Sequence, residues 1–532
     1  MEFDYLVIGG GAAGCVVAAR LSENPACRVL LLEAGPGFRH PLLTVPGALP
    51  VVATARRFNW SDVTPPEPGL DNRAQSLPQG RVLGGGTSIN GMVYTRGLPS
   101  DFDRWAELGA RGWEFENLLP LFRRSENSER GASHWHGDAG PLRITRGRSD
   151  LPVCELFLDA TEAAGIGVVD DLCEGEASGM GWYDAAVSDG RRTSAATAFL
   201  APALRRPNLT VIAGAHVTRI LVEKGRAVGA SYVRDGATRT VRATQETILC
   251  AGGIRSPQLL MLSGIGPADA LKSLGIAVVH DAPSVGADLQ NHVAYKMQYS
   301  CREPITAYRY LNPARAMLAG AAYVAARRGY LAYCLTPIGG FFRAGDEGPA
   351  DMQVFMNPAL FGRIDRSLFD LLPKRHGFSL SVNQGRPYSR GRVSLVSADA
   401  LAAPRIEGNY FGDPRDVTLL ARAVERLRDL VLGGPLRNAI EDEMQPGLRV
   451  KGAVAMAEEL RRMANNYYHV AGTCRMGEDD GAVVDSGLRV RGVDGLRVAD
   501  ASVMPILVNG NTAAATMMIG EKCADLLKAG SA

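Results

Sequence analysis

The sequence has almost no charge imbalance, no closely spaced cysteine pair and no long apolar run. Its 532 residues carry 58 Lys and Arg against 56 Asp and Glu, a net charge of +2. So small an excess leaves no electrostatic footprint for nucleic acid or an anionic bilayer. Local pairs such as Arg205-Arg206 and Arg461-Arg462 read as solvated helix ends. The nine cysteines (Cys15, Cys27, Cys154, Cys173, Cys250, Cys301, Cys334, Cys474 and Cys523) are odd in number and widely spaced, with no C-x-x-C. That argues against a disulfide framework and against a thiolate zinc site, and several lie in apolar runs as buried thiols. No stretch reaches the roughly 18–20 apolar residues that span a bilayer. No basic region with a cleavage site precedes the first apolar strand, and repeats and low-complexity segments are absent. The expectation is a cytoplasmic protein with no membrane span, no nucleic-acid partner and no metal.

What is present is ordinary globular material, 46% hydrophobic and 21% charged. At this length one core is insufficient, so at least two units are expected. Residues 3–8 read as a buried strand, 9–14 as a glycine turn, 12–22 as a helix and 28–33 as a second strand, which together make a βαβ unit. The Pro-rich stretch 36–79 reads as a long irregular excursion. Helices are expected over 101–108, 115–128, 151–164 and 258–262, with another starting at 193–199. Strands are expected over 141–145, 209–212, 217–223 and 247–251. From 300 the pattern changes to a long helix at 310–328 and strands at 351–356, 378–384 and 392–396, which suggests a separate antiparallel sheet. A helix from about 457 and a final helix at 513–528 close the chain.

The first motif is Gly9-Gly10-Gly11-Ala12-Ala13-Gly14, a G-x-G-x-x-G between strand and helix. Gly9 permits the tight turn, Gly11 lets a pyrophosphate approach the backbone, and Gly14 lets helix and strand pack closely. The phosphates then face a helix N-terminus, whose free N–H groups favour anions. Glu33, at the end of the second strand, can accept hydrogen bonds from an adenosine ribose diol and would repel a 2′-phosphate, which disfavours NADP. Three glycines alone are a weak signal; strand, glycines, helix, strand and acid in register are a strong one. The unit specifies the ADP half of a dinucleotide and leaves FAD and NAD both open.

A second glycine-rich segment, residues 80–92 (GRVLGGGTSINGM), places many backbone N–H groups where a further anionic group or a flavin edge can sit. This segment resembles the first signature of the glucose–methanol–choline (GMC) flavin oxidoreductases, and residues 252–266 (GGIRSPQLLMLSGIG) resemble the second, with Gly253 a small departure. The runs 469–477 (HVAGTCRMG), 496–505 (LRVADASVMP), 389–393 (SRGRV), Gly510-Asn511-Thr512 and Asn409-Tyr410 also match, in family order along the whole chain. The resemblance implies an α/β fold: an FAD-binding Rossmann-like domain from 1–150, 200–299 and 455–532, and a second, α+β substrate-binding domain built on an antiparallel sheet from 151–199 and 300–454.

It also implies FAD lying extended through the first domain. Gly9, Gly11, Ala12, Ala13 and Gly14 would hold the pyrophosphate, and Glu33 with Ala34 the ribose. Val217 would offer backbone groups to the adenine, and Trp60 lies in the excursion that crosses the cofactor. Arg81, Val82, Gly86, Asn90, Gly91, Met92 and Val93 would line the flavin side, and Asp500, Ala501, Asn511 and Thr512 would reach the ribityl chain and ring. Members with covalent FAD attach it through a His just before the Asn of the first signature. Here that residue is Ile89, so FAD is expected to be non-covalent.

His469 occupies the family's active-site position. Oxidising an alcohol removes a hydroxyl proton and a hydride, and an imidazole suits the proton. The other seven histidines (His40, His134, His136, His216, His280, His292 and His376) have no such placement, and His134 and His136 flank Trp135 in a loop resembling a structural turn of the family. The family's second His or Asn falls at Ala513, which offers no side-chain hydrogen bond. His469 then acts alone, or Tyr468, Asn509 or Asn511 compensates, or the pocket is specialised. The implied activity is oxidation of a primary, aromatic or apolar, alcohol to the aldehyde, with O2 or another electron acceptor. The alternatives are a flavin-containing lyase of the hydroxynitrile-lyase type and a non-catalytic flavin-binding protein.

Overall fold

A computed structural model describes residues 2–360 and 374–530. The N-terminal apolar run forms β1 (Glu2–Ile8), helix α1 follows over Ala12–Leu21, and β2 (Val29–Glu33) lies parallel to β1 with Leu6 opposite Leu30. Every residue of β2 is buried, as expected of a strand covered on both faces. The strand Leu209–Ala213 extends the sheet beyond β2, and Ala237–Leu249 lies on the other side of β1. Leu496–Val498 pairs in parallel with the end of that long strand.

Sequence periodicity marked only the end of the strand over 237–249. Its first half alternates exposed polar residues and pairs antiparallel with Arg226–Arg234, which pairs in turn with His216–Glu223. A solvated antiparallel ribbon carries little apolar signal, so the Arg226–Arg234 strand and the first ten residues of its neighbour were not expected. The helix expected at 258–262 begins at Gly252, and the one expected over 115–128 ends at Ser125 and gives way to a strand, Glu126–Ser128. The helix Thr512–Gly530 packs along α1, and its fully buried Glu521 is held by Arg20 at 2.8 Å and Arg124 at 2.7 Å. Two guanidinium groups supply the charge that a buried carboxylate needs.

The second sheet is antiparallel, in the order 440–445, 293–301, 377–384, 352–357, 338–342, 179–182. Alternation sorts its two faces. Tyr295, Met297, Tyr299, Val354, Met356, Phe378, Leu380 and Val382 enter a core with the helix Pro414–Gly433. That helix buries Val417, Leu420, Val424, Leu427 and Val431 on one stripe, and the Asp413 side chain caps it by accepting from the Arg415 N–H at 3.0 Å. The opposite face presents Lys296, Phe355, Asn357, Ser379 and Ser381 to a cavity. The strands at 293–301, 338–342 and 440–445 were not anticipated: Lys296 and Gln298 interrupt the first, Gly339-Gly340 the second, and Glu441, Asp442 and Glu443 the third. The helix expected over 310–328 is two, 308–311 and 313–326, divided where Asn312 caps the second ahead of Pro313. The helix Gly452–Met463 sends Met456 and Leu460 into the second core, and Asn465–Asn466 pairs with the start of the 293–301 strand, so the chain rejoins the first core only at Val470 rather than at 455. Residues 361–373 of the expected substrate domain lie outside the described residues.

Candidate active site

One continuous cavity of about 890 Å³ runs from Glu33 at the C-terminal end of β2 to His469 under the second sheet. Ligand pockets range over roughly 300–1,000 Å³, so this one suits a large, extended molecule. At its far end the glycine turn is tightly constrained. Gly9 has φ +102°, and a Cβ at Gly14 would fall 1.9 Å from the Gly9 carbonyl oxygen. Gly11 caps α1 with no side-chain bond, so the first-turn N–H groups at Ala12 and Ala13 face the cavity. Glu33 accepts from the Gly10 N–H at 2.8 Å and the Gly35 N–H at 2.7 Å. Burial raises its pKa against those two bonds.

Next comes an aromatic and cationic group. Arg255 lies over the Trp60 ring at 4.3 Å, is held by Asp62 at 2.6 Å, and His216 meets Trp60 edge-on at 5.6 Å. Trp60, His216 and Val217 all line this part of the cavity. Gly85 and Gly86 follow, and a Cβ on Gly86 would meet nothing within 4 Å, which leaves its backbone open to a ligand. Asp500 receives N–H groups from Gly252 and Ser502 at 2.8 Å each and the Ser256 hydroxyl at 2.6 Å, which fixes its carboxylate at the cavity wall.

The residues named for FAD therefore converge, with three exceptions. Gly9, Gly11, Ala12, Ala13, Glu33, Ala34, Trp60, Gly86, Asn90, Gly91, Met92, Val93, Val217, Asp500, Ala501, Asn511 and Thr512 line the cavity. Gly14 acts through helix–strand packing instead. Arg81 leaves the expected flavin side and places its guanidinium 5.0 Å from the Trp60 ring. Val82 is fully buried in a small apolar cluster with Ile89. A cavity of this length with open glycine backbone, an anion-favouring helix end and a buried ribose-side carboxylate fits FAD.

The other end of the cavity is built around His469. Tyr468, just before it, has φ +69°, and Met92 has φ +64°. Non-glycine residues in that region cost about 1–3 kcal/mol each and mark places where side-chain aim is specified. Segment 290–292 fastens the loop: Gln290 and Ala471 exchange backbone bonds at 3.0 Å, Asn291 Oδ1 accepts the His469 N–H at 2.8 Å, and the His292 carbonyl accepts the Tyr467 N–H at 2.8 Å. His292 Nδ1 lies 2.8 Å from His469 Nδ1, and its Nε2 lies 2.9 Å from the Gly385 carbonyl oxygen. Burial takes the His292 pKa down to about 4. Burial first, and then the neighbouring His292, hold His469 well below the usual imidazole value.

Of the groups considered as compensation for Ala513, Tyr468 lines the cavity with Ala513 itself. Asn509 does not: it is fully buried and donates to the Ala350 carbonyl at 2.7 Å. Asn511 lines the wall, with its side-chain oxygen taken by Gln353 at 3.1 Å. The residue that does reach His469 is His292, which the sequence left unplaced because it lies 177 residues away. Sequence reasoning also missed the ring set on the cavity wall beside His469, where Phe355 stacks on Tyr467 at 5.3 Å and Tyr467 on Tyr468 at 6.4 Å.

His136, Asp171 and Asp184 lie close enough together to suggest a cation site. The Asp184 carboxylate is already held by Arg130 at 2.7 Å, and His136 bridges Asp171 at 2.6 Å and Glu126 at 3.0 Å. A resident guanidinium and imidazole supply the positive charge there, so the cluster is an ion-pair knot. Among the described residues no helix is long and apolar enough to cross a membrane.

The GMC oxidoreductase family models match residues 3–294 and 387–520. The chain belongs to the GMC oxidoreductases and is an FAD-dependent enzyme acting on CH–OH donors. It is 40% identical to the mitochondrial choline dehydrogenase of Homo sapiens, over 99% of this chain and 90% of that protein. It is 39% identical to an oxygen-dependent choline dehydrogenase of Rhizobium etli, over 99% and 95%. Among solved structures it is similar to pyridoxine 4-oxidase from Mesorbium loti, at 32% identity and a TM-score of 0.88 over 98% of both chains.

Proposed function

We propose that the protein oxidises a primary aromatic or apolar alcohol to the aldehyde, with His469 as the base. The observation that carries this reading is the position of His469 at the cavity end walled by Phe355, Tyr467 and Tyr468. Flat rings there can hold an aromatic alcohol by stacking, at about 0.5–1.5 kcal/mol per pair beyond burial. FAD, when bound, supplies the acceptor for the hydride. His469 receives the hydroxyl proton, and its burial keeps the imidazole neutral and ready to do so. The residues named above hold the cofactor, and Ile89, which is apolar and buried, offers no covalent attachment. The electrons pass on to O2 or another acceptor.

Choline is the substrate for which the relatives are named, and it is the competing candidate. Among the described lining residues, the acids are Glu33, Asp62 and Asp500, all along the cofactor stretch. An aromatic ring with a hydroxymethyl group, as in the substrate that pyridoxine 4-oxidase is named for, suits the flat faces of Phe355, Tyr467 and Tyr468. Full-length likeness to dehydrogenases and oxidases favours oxidation over the lyase or inactive alternatives. The nine cysteines are all free thiols, in keeping with a reducing, cytoplasmic setting.

Anaerobic mixing of the holoenzyme with a panel of choline, benzylic and aliphatic alcohols tests the reading. Benzylic substrates should bleach the flavin fastest, and admitting air then reports whether O2 is the acceptor. Bleaching by choline alone would replace the aromatic assignment, and no bleaching by any alcohol would overturn the activity.

A further inference from the structure

We propose that His292 is a positioning residue that sets the tautomer of His469, so that Nε2 is the atom that takes the substrate proton. This rests on the reading of His469 as the base. The argument is one of donors and acceptors. A carbonyl oxygen only accepts, so the contact between His292 Nε2 and the Gly385 carbonyl at 2.9 Å requires a proton on Nε2. Two backbone carbonyls, those of Gly385 and Val508, favour a proton on the ring, but His292 has no accessible surface and no carboxylate partner, and burial prevails to keep it neutral. A neutral ring with its proton on Nε2 carries a bare lone pair on Nδ1. His469 Nδ1, 2.8 Å away, must then be the donor.

The proton of His469 is thereby placed on Nδ1, and its Nε2 is left with the lone pair. Nε2 makes no protein hydrogen bond among the described residues, and His469 lines the cavity. The rings meet at 90° with centroids 5.0 Å apart, an edge contact that points one nitrogen at the other without stacking. When the alcohol proton moves to Nε2, the O–H bond breaks and the N–H bond forms. His469 becomes an imidazolium whose Nδ1–H already points at the His292 lone pair. No proton needs to move along the chain: Gly385 orients His292, and His292 orients His469, much as a buried acceptor orients the base of a hydrolase. The Gln290–Ala471 backbone pair and the Asn291 side-chain oxygen, which accepts the His469 N–H, hold the two segments in place independently, so the Nδ1–Nδ1 contact is separable from the fold of the loop.

The test uses holoenzyme labelled with 15N in the histidine rings, with the His469 signals identified by their loss in His469→Gln. The wild type should show His469 protonated on Nδ1 and unprotonated on Nε2. In His292→Leu, which removes the acceptor, that tautomer preference should disappear and kcat should fall on the order of 10²-fold with KM little changed. His292→Asn, whose side-chain oxygen can accept from Nδ1–H, should restore the tautomer and most of the rate. A wild-type His469 carrying its proton on Nε2 overturns the proposal without any variant, as does an unchanged tautomer in folded, flavin-loaded His292→Leu. Full activity in His469→Gln would instead remove His469 as the base and leave the tautomer result standing.

Discussion

Arg192 holds Asn90 by both ends: one guanidinium nitrogen, Nη1, donates to the Asn90 backbone carbonyl at 2.6 Å and to its side-chain oxygen at 2.7 Å. The same nitrogen reaches the Thr87 carbonyl at 3.3 Å. A single buried cation thus tethers the second glycine-rich segment against the cavity, and burial brings its pKa down to about 10. Hydrogen bonds from charged groups contribute about 1.5–3 kcal/mol each. Arg192→Met should free the loop and speed FAD release about tenfold or more, read by the rise of free-flavin fluorescence after dilution.

Glu33 already accepts two backbone N–H groups, one per oxygen. Glu33→Gln replaces one acceptor with an N–H2 that faces another donor. The loss of one charge-assisted bond, about 1.5–3 kcal/mol, should weaken FAD binding roughly 10–100-fold. Titration of the apoprotein with FAD measures this. The alcohol preference of the reloaded enzyme should be unchanged, because Glu33 lies at the far end of the cavity.

The aromatic wall makes a distinct prediction. Phe355→Ala removes the ring that stacks on Tyr467 at 5.3 Å. KM for benzylic alcohols should rise about threefold to tenfold, the equivalent of roughly 0.5–1.5 kcal/mol, while KM for small aliphatic alcohols changes little. Equal effects on both classes would show that the ring does not contact the substrate.

The knot around His136 predicts a pH dependence of stability. Burial opposes its charge, but hydrogen bonds to Asp171 and Glu126 outweigh burial and push its pKa up to about 9. A folded pKa above the unfolded value of about 6.5 means that the contribution is fully present below pH 6.5 and is lost as pH rises through 9. The difference in Tm between the wild type and His136→Gln should be largest near pH 6 and shrink by pH 9.5, measured by thermal unfolding across that range.

The sequence by itself determined the parts that are contiguous. The turn Gly9–Gly14 needs only its own neighbours to make a tight loop and a helix N-terminus, and β1, α1 and β2 appear with nearly the expected bounds. Most of the residues named from the resemblance carried by 80–92, 252–266 and 469–477, with His469, line one cavity. Tertiary structure decided what depends on strands meeting across long separations. The cavity wall near His469 arises because Lys296, Ser381 and Phe355 fall opposite one another on three antiparallel strands, a register set by pairing that no local pattern encodes. Arg81 was drawn from the flavin side to the Trp60 ring, and Asn509 was drawn into the interior by the Ala350 carbonyl. The partner of His469 could not be found near Ala513 because it comes from the start of another strand. His292 stands beside His469 because the backbone bonds of 290–292 zip that strand end onto the 467–471 loop. Hydrogen-bond pairing of distant backbone, which every buried peptide group demands, is the physical reason that the two imidazoles meet.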